Sequence, residues 1–131
     1  MGAAPGPYQA QILDHYKHPH NRGTLDPATH RARESNPLCG DDIVLALRVD
    51  GESRIEDARF DGEGCAISMA SASLLTDALK GKSLAEAAAM DRAVVLKSLG
   101  VPLSSVREQC ALLPLRALQA ALAPRVPAQG H

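Results

Sequence analysis

The chain has 131 residues, the length of one domain, and 45% of them are apolar, enough for a core. Aromatic residues make up only 2%, so that core is built from Leu, Val, Ile and Ala. The net charge is −1 with Lys and Arg scattered, which argues against a nucleic-acid-binding face, and no apolar run approaches the roughly 18 residues of a membrane span.

Met1–Pro7, rich in Gly, Ala and Pro, reads as a loose leader without a secretory pattern, so a cytoplasmic protein is expected. The spacing predicts a helix over Tyr8–Lys17, with Tyr8, Ile12, Leu13 and Tyr16 on its inner face. His18-Pro19 ends it, because the residue before Pro is pushed out of helical angles. His18–Asn36, with Pro, Gly and three His but no period, is expected to be a long loop. Ile43–Val49 is a strand, Asp50-Gly51 a hairpin signal and Arg54–Phe60 its antiparallel partner. Cys65–Ile67 follows Gly62-Glu63-Gly64 as a short third strand. Ile67–Lys80 reads as a helix whose first half is kept small by Ser68, Ser71 and Ser73. Ser83 and Glu86 form a capping box opening Leu84–Met90, and Asp91–Leu99 is a further short helix closed by Gly100. Pro102–Arg107 reads as a connector. The last helix is expected from about Cys110 to Leu122, with Pro114 tolerated in its first turn. Pro124–His131 is a tail. The expected architecture is α+β, a single domain over 1–131 with loose ends at about 1–6 and 124–131, in which a small antiparallel sheet of about three strands packs with helices.

The chemistry concentrates in three cysteines and one carboxylate. Asn36-Pro37-Leu38-Cys39-Gly40-Asp41 puts a thiol and a carboxylate two residues apart in a turn. Cys65 and Cys110 each stand at the edge of an expected helix. An odd cysteine count does not suit a disulfide framework and is more usual where thiols bind metal or react. Free amides at a helix start or a Gly turn favour the thiolate, the form that binds metal and attacks sulfur. Three sulfurs and one oxygen suit tetrahedral zinc or one face of an iron–sulfur cluster. Taken singly, a cysteine is more often a small buried hydrophobe, and an Asp after a turn Gly is usually a strand-end residue. The five His residues, at 15, 18, 20, 30 and 131, read as solvated.

An ordered set of motifs sharpens this reading. Ile12-Leu13-Asp14-His15-Tyr16-Lys17-His18-Pro19, Asn21-Arg22-Gly23, Asn36–Asp41, the run Gly62–Ser73, Gly81-Lys82 and Arg107-Glu108-Gln109-Cys110-Ala111 together resemble the U-type iron–sulfur assembly family: the IscU, NifU N-terminal and SufU group. The likeness runs from about Tyr8 to Leu122, and the motifs are closest to SufU. It implies a SufE/NifU-like α+β fold and zinc bound by Cys39, Asp41, Cys65 and Cys110. It implies that Cys39, with Asp41 and Arg107 beside it, accepts persulfide sulfur from a cysteine desulfurase of SufS or IscS type. Downstream cluster assembly or acceptor proteins would take the sulfur on, and neither nucleic acid nor membrane would be a partner. The alternative is a scaffold that holds a transient [2Fe–2S] cluster, or iron, for transfer to apo-proteins. Three departures matter. Gln109 stands where IscU-type members carry His, and Val101–Arg107 replaces their Leu-Pro-Pro-Val-Lys segment. The insertion typical of SufU members between their last two cysteines is absent.

Overall fold

The computed structural model describes residues 7–38 and 40–123. Eight elements follow in order: α1 (Pro7–Lys17), β1 (His30–Asn36), β2 (Asp41–Val49), β3 (Ile55–Glu63), α2 (Ala66–Leu79), α3 (Leu84–Ala88), α4 (Arg92–Leu99) and α5 (Ser105–Leu122). The three strands form one antiparallel sheet in the order β1-β2-β3. This is the expected α+β architecture, with two corrections to its strands.

The first correction concerns the long loop. Its last third, His30–Asn36, is β1, paired residue for residue with Leu47 to Asp41. The segment carries no apolar alternation because it is an edge strand whose residues stay mostly half-buried or exposed. Its pairing comes from the backbone ladder and from the α5 cover, which leave little trace in side-chain pattern. Earlier in the same loop, Asn21 and Gly23 exchange backbone hydrogen bonds with Phe60. The free edge of β3 is thereby partly covered.

The second correction is that Cys65–Ile67 is no strand. Cys65 is the N-cap of α2, with extended backbone angles of −73° and 171°. The connection from β2 to β3 spans residues 50–54, closed by the Asp50 carboxylate accepting from the N–H groups of Glu52 and Arg54. A register shift at Arg48/Val49 explains why Ile55, Ala58 and Phe60, all buried, break strict alternation.

The core lies between one face of the sheet and the helices. Ile43, Leu45 and Leu47 of β2 and Ala58 and Phe60 of β3 meet Met69, Leu75 and Leu79 of α2 and Leu113, Leu115 and Leu118 of α5. A second cluster joins Ile12 of α1, Ile67 and Ala70 of α2, Leu99 of α4, and Cys110 and Ala111 of α5. The small first half of α2 is where α5 comes close: the Ser71 hydroxyl donates to the Ala111 carbonyl at 2.6 Å.

Two helices depart from expectation in ways that move site residues. In α1 the inward residues are Ile12 and His15, while Leu13 and Tyr16 are exposed; the Tyr8 side chain lies outside the described residues. His15 turns inward because Ser73 of α2 satisfies its ring nitrogen at 2.6 Å. The last helix begins at Ser105, five residues early, because the Ser104 hydroxyl accepts from the Arg107 N–H and caps it. Cys110 therefore sits in the second turn of α5, and Pro114 lies in the helix interior. The expected boundaries elsewhere hold closely: the Ser83–Glu86 capping box opens α3, and Asp91 and Gly100 bound α4.

Candidate metal centre

Asp41 is the first residue of β2 and opposes Asn36 across the β1–β2 ladder. Strand alternation turns it to the core side with Ile43, and it is 2% exposed. Its neighbour Asp42 points the other way, onto the Arg33 guanidinium and the Ser35 hydroxyl, which hold that carboxyl below the ordinary carboxylate range. The two adjacent acids thus have separate jobs. One Asp41 oxygen, Oδ1, accepts the Cys65 backbone N–H at 2.9 Å. The other, Oδ2, is buried with no hydrogen-bond partner.

Cys65 stands at the N-cap of α2 without a side-chain capping bond, so its sulfur lies by the open amides of a helix start. Cys110 approaches from α5 and is 1% exposed. It reaches the site from a helix second turn, so the expected helix-start stabilisation applies to Cys65 and not to Cys110. Ligand atoms of Asp41, Cys65 and Cys110 all lie within 4.8 Å of one another. Residues 41, 65 and 110 are thus brought together from a strand, a helix cap and a second helix.

Two glycines make this possible. A Cβ at Gly64 would fall 2.6 Å from Asp41 Oδ1 and closer still to the Ser68 hydroxyl, so only glycine lets the chain pass over the carboxylate. Gly40 takes a φ of 70°, the left-handed angle that turns the chain into β2. Ser68, fully buried, donates to the Cys65 carbonyl at 3.0 Å and steadies the cap.

The donor set fits a thiophilic cation. A buried carboxylate oxygen without a hydrogen-bond donor is costly unless a positive charge meets it, and two cysteine sulfurs beside it select a borderline-soft metal. Cys39, the fourth expected ligand, lies outside the described residues; in the chain it is two residues before Asp41. Arg107 is exposed in the first turn of α5, one turn ahead of Cys110. Gln109 is also exposed and, with Asn36, Leu38, Ser105 and Val106, lines a shallow cavity of about 160 Å³.

One polar constellation is not visible in the sequence. The Ser73 hydroxyl accepts the His20 backbone N–H at 2.8 Å and meets His15 Nδ1. The His20 ring meets Asp77 at 2.6 Å, and the Asn21 amide donates to both Thr76 and Asp77. Burial, then the neighbouring His20, pushes His15 below the ordinary imidazole value. Burial pushes Asp77 upward, but hydrogen bonds from His20 and Asn21 outweigh it and hold the carboxyl low. The only clue in the sequence is that His15 lies three residues after Ile12, on the same helix face.

The chain is similar to several known proteins. The zinc-dependent sulfurtransferase SufU of Bacillus subtilis is 48% identical over 85 residues, 65% of this chain and 56% of that protein. The iron–sulfur cluster assembly scaffold protein IscU of Haemophilus influenzae is 37% identical over 131 residues, 94% of this chain and 98% of its own length. The crystal structure of a hypothetical protein matches with a TM-score of 0.75 at 37% identity, over 88% of this chain and 96% of that one. Residues 7–125 match the model of the NifU-like N terminal domain, and the chain belongs to that family.

Proposed function

We propose that this chain acts in iron–sulfur cluster biogenesis as a single U-type domain, taking persulfide sulfur from a cysteine desulfurase on Cys39 and passing it on. The observation that carries the reading is the convergence of half-buried Cys65 with buried Asp41 and Cys110, one carboxylate oxygen being left without a donor. The 48% identity to a zinc-dependent sulfurtransferase supports the same reading.

Cys39, Asp41, Cys65 and Cys110 would hold zinc, whose charge when bound keeps the cysteines as thiolates at neutral pH. Asp41 is oriented for this by the Cys65 N–H, which occupies one oxygen and leaves the other for the metal. Cys39 is the acceptor. Its sulfur attacks the outer sulfur of the donor persulfide; that sulfur–sulfur bond breaks and a new one forms on Cys39. The outer sulfur carries its own proton to Cys39, and the desulfurase cysteine leaves as a thiolate. One sulfur atom moves and no net oxidation occurs. Arg107, exposed one turn before Cys110, supplies positive charge beside the thiolates. Cluster-assembly proteins downstream receive the sulfur.

The test is desulfurase turnover with catalytic amounts of the zinc-loaded chain. Multi-turnover stimulation that disappears in Cys39→Ala is expected. Absence of stimulation, together with an iron–sulfur chromophore when iron is supplied, overturns the reading in favour of a scaffold. That second reading is favoured by the end-to-end match to a scaffold protein. There the same four residues hold a transient [2Fe–2S] cluster as cargo, and the hard Asp41 oxygen keeps it labile. Asp41→Ala then yields a more persistent cluster; an unchanged or lower yield counts against it.

A further inference from the structure

We propose that Ser71 is a positioning residue of the metal centre: its hydroxyl ties α2 to the carbonyl next to Cys110 and so sets the spacing of the Cys65 and Cys110 sulfurs. This rests on the metal-binding part of the reading above. Ser71 is 2% exposed, and its hydroxyl donates to the Ala111 carbonyl at 2.6 Å. Cys65 caps the same helix six residues earlier, about 9 Å along its axis. Ala111 directly follows Cys110 in the chain. One hydrogen bond thus joins the helix that begins at one sulfur ligand to the residue beside the other.

A buried serine or threonine inside a helix commonly returns its hydroxyl to a carbonyl about one turn back. Thr76 on the same helix does so, toward the Ala72 and Ser73 carbonyls. Ser71 instead directs its only hydroxyl proton across to α5. The acceptor can take it, because a carbonyl keeps a second lone pair beyond its ladder bond. Packing alone fixes the helix spacing poorly here. Ala70, Cys110 and Ala111 are small and buried in one cluster, so little side-chain interlock resists sliding. On its other side Ser71 borders a cavity of about 350 Å³ between α2 and α4, lined also by Leu74, Val95 and Ser98. Pro114, one turn beyond Cys110, interrupts the α5 ladder and softens the helix there.

The tolerance at the centre is small. Tetrahedral zinc with sulfur at about 2.3 Å puts two sulfur ligands roughly 3.8 Å apart. The Cys65 and Cys110 sulfurs lie within 4.8 Å of one another. A slide of α5 along α2 of about 1 Å therefore decides whether both sulfurs meet the same ion. The Ser71 bond goes to backbone beside Cys110, so its effect reaches the metal through that residue.

The experiment uses the full chain loaded with zinc or with cobalt(II). Competition against a chromophoric chelator reads zinc affinity, the cobalt d–d and sulfur charge-transfer bands read ligand geometry, and melting of the metal-free chain reads stability. Ser71→Ala is expected to lower zinc affinity about tenfold and to shift and weaken the cobalt bands. Ser71→Thr keeps the hydroxyl, has the cavity beside it for the added methyl, and is expected to restore both. Leu79→Val, fully buried at the last residue of α2, is the control. It is expected to lower the melting temperature while keeping wild-type affinity and bands. Wild-type affinity and bands in Ser71→Ala overturn the proposal and leave the metal-binding reading intact. So does a loss in Leu79→Val equal to that in Ser71→Ala, which marks general softening of the fold. A folded Ser71→Thr as weak as Ser71→Ala overturns it too. Should Ser71→Ala not fold, Ser71→Cys, similar in size but only a weak donor, replaces it with the same expected results. A wild-type chain that takes up neither metal sinks the metal-binding reading, and the proposal with it.

Discussion

At Asp41 the two carboxylate oxygens have different fates: Oδ1 is occupied by the Cys65 amide, and Oδ2 is buried without a donor. This asymmetry depends on Gly64, where a side chain would displace the carboxylate. Gly64→Ala is therefore expected to lower zinc affinity at least tenfold, in the range seen when groups that orient metal ligands are removed. Competition against a chromophoric chelator reads this directly; an unchanged affinity would show that the carboxylate is not a ligand. Asp41, Cys65 and Cys110 are legible as candidates because thiols are few and the sequence pattern sets each beside an expected turn or helix boundary, although Cys110 in fact lies in the second turn of α5. Their convergence was legible only through the family motifs, since positions 41, 65 and 110 have no compact metal-ligand spacing. The inward turn of His15 was not legible, because its reason, Ser73, is 58 residues away.

His15 carries a second consequence at the same scale. Its folded pKa lies below the ordinary 6.5, chiefly through burial. Below 6.5 the unfolded chain takes up a proton that the folded chain resists, so stability falls as pH drops from that value and levels off below the folded one. Asp77, held low by His20 and Asn21, adds a separate loss at more acid pH, below its ordinary 3.8. Urea unfolding at a series of pH values is expected to show the first limb as pH falls below 6.5. His15→Gln should flatten that limb. A limb of wild-type steepness in the variant would place its origin elsewhere.

Among the elements, α5 is the one that differs most from its sequence pattern and matters most to the site. Its apolar face of Leu115, Leu118 and Leu122 marks only the second half. The first half is polar and was readable as a connector, yet Ser104 caps it and Arg92 pairs with Glu108 across to α4. Pro114 does not stop the helix, because Leu113, Pro114 and Leu115 are all buried against the core. Packing thus outweighs the lost backbone hydrogen bond. Since Cys110 sits in the segment that Ser104 nucleates, Ser104→Ala is expected to cost about 1 kcal/mol of stability. It should also loosen zinc binding; chemical denaturation and metal competition on the same variant check both. A stable variant with weakened zinc binding would separate the cap's positioning role from its folding role. β1 is not legible for a different reason: an edge strand made almost wholly of charged and polar residues carries no apolar signal, and its register is imposed by β2.

For the whole molecule, the candidate centre is a junction. Asp41 belongs to the sheet, Cys65 to the cap of α2 and Cys110 to α5, so a metal held by all three ties the sheet to both helices that cover it. A ligand bound only by the folded state stabilises it by mass action, about 4 kcal/mol when its concentration is a thousandfold above its dissociation constant. Chelation is therefore expected to lower the melting temperature and to raise amide exchange first at the start of α2 and around Cys110. An unmoved melting temperature would show that the centre is not part of what holds the fold. No helix of the described residues is long and apolar enough to cross a membrane.

The most direct measurement is intact and peptide mass spectrometry of the zinc-loaded chain after incubation with the desulfurase and cysteine. One added sulfur atom on the peptide carrying Cys39, absent from Cys39→Ser, is the predicted result. Sulfur that never appears on Cys39, or appears only on Cys65 or Cys110, would contradict the account.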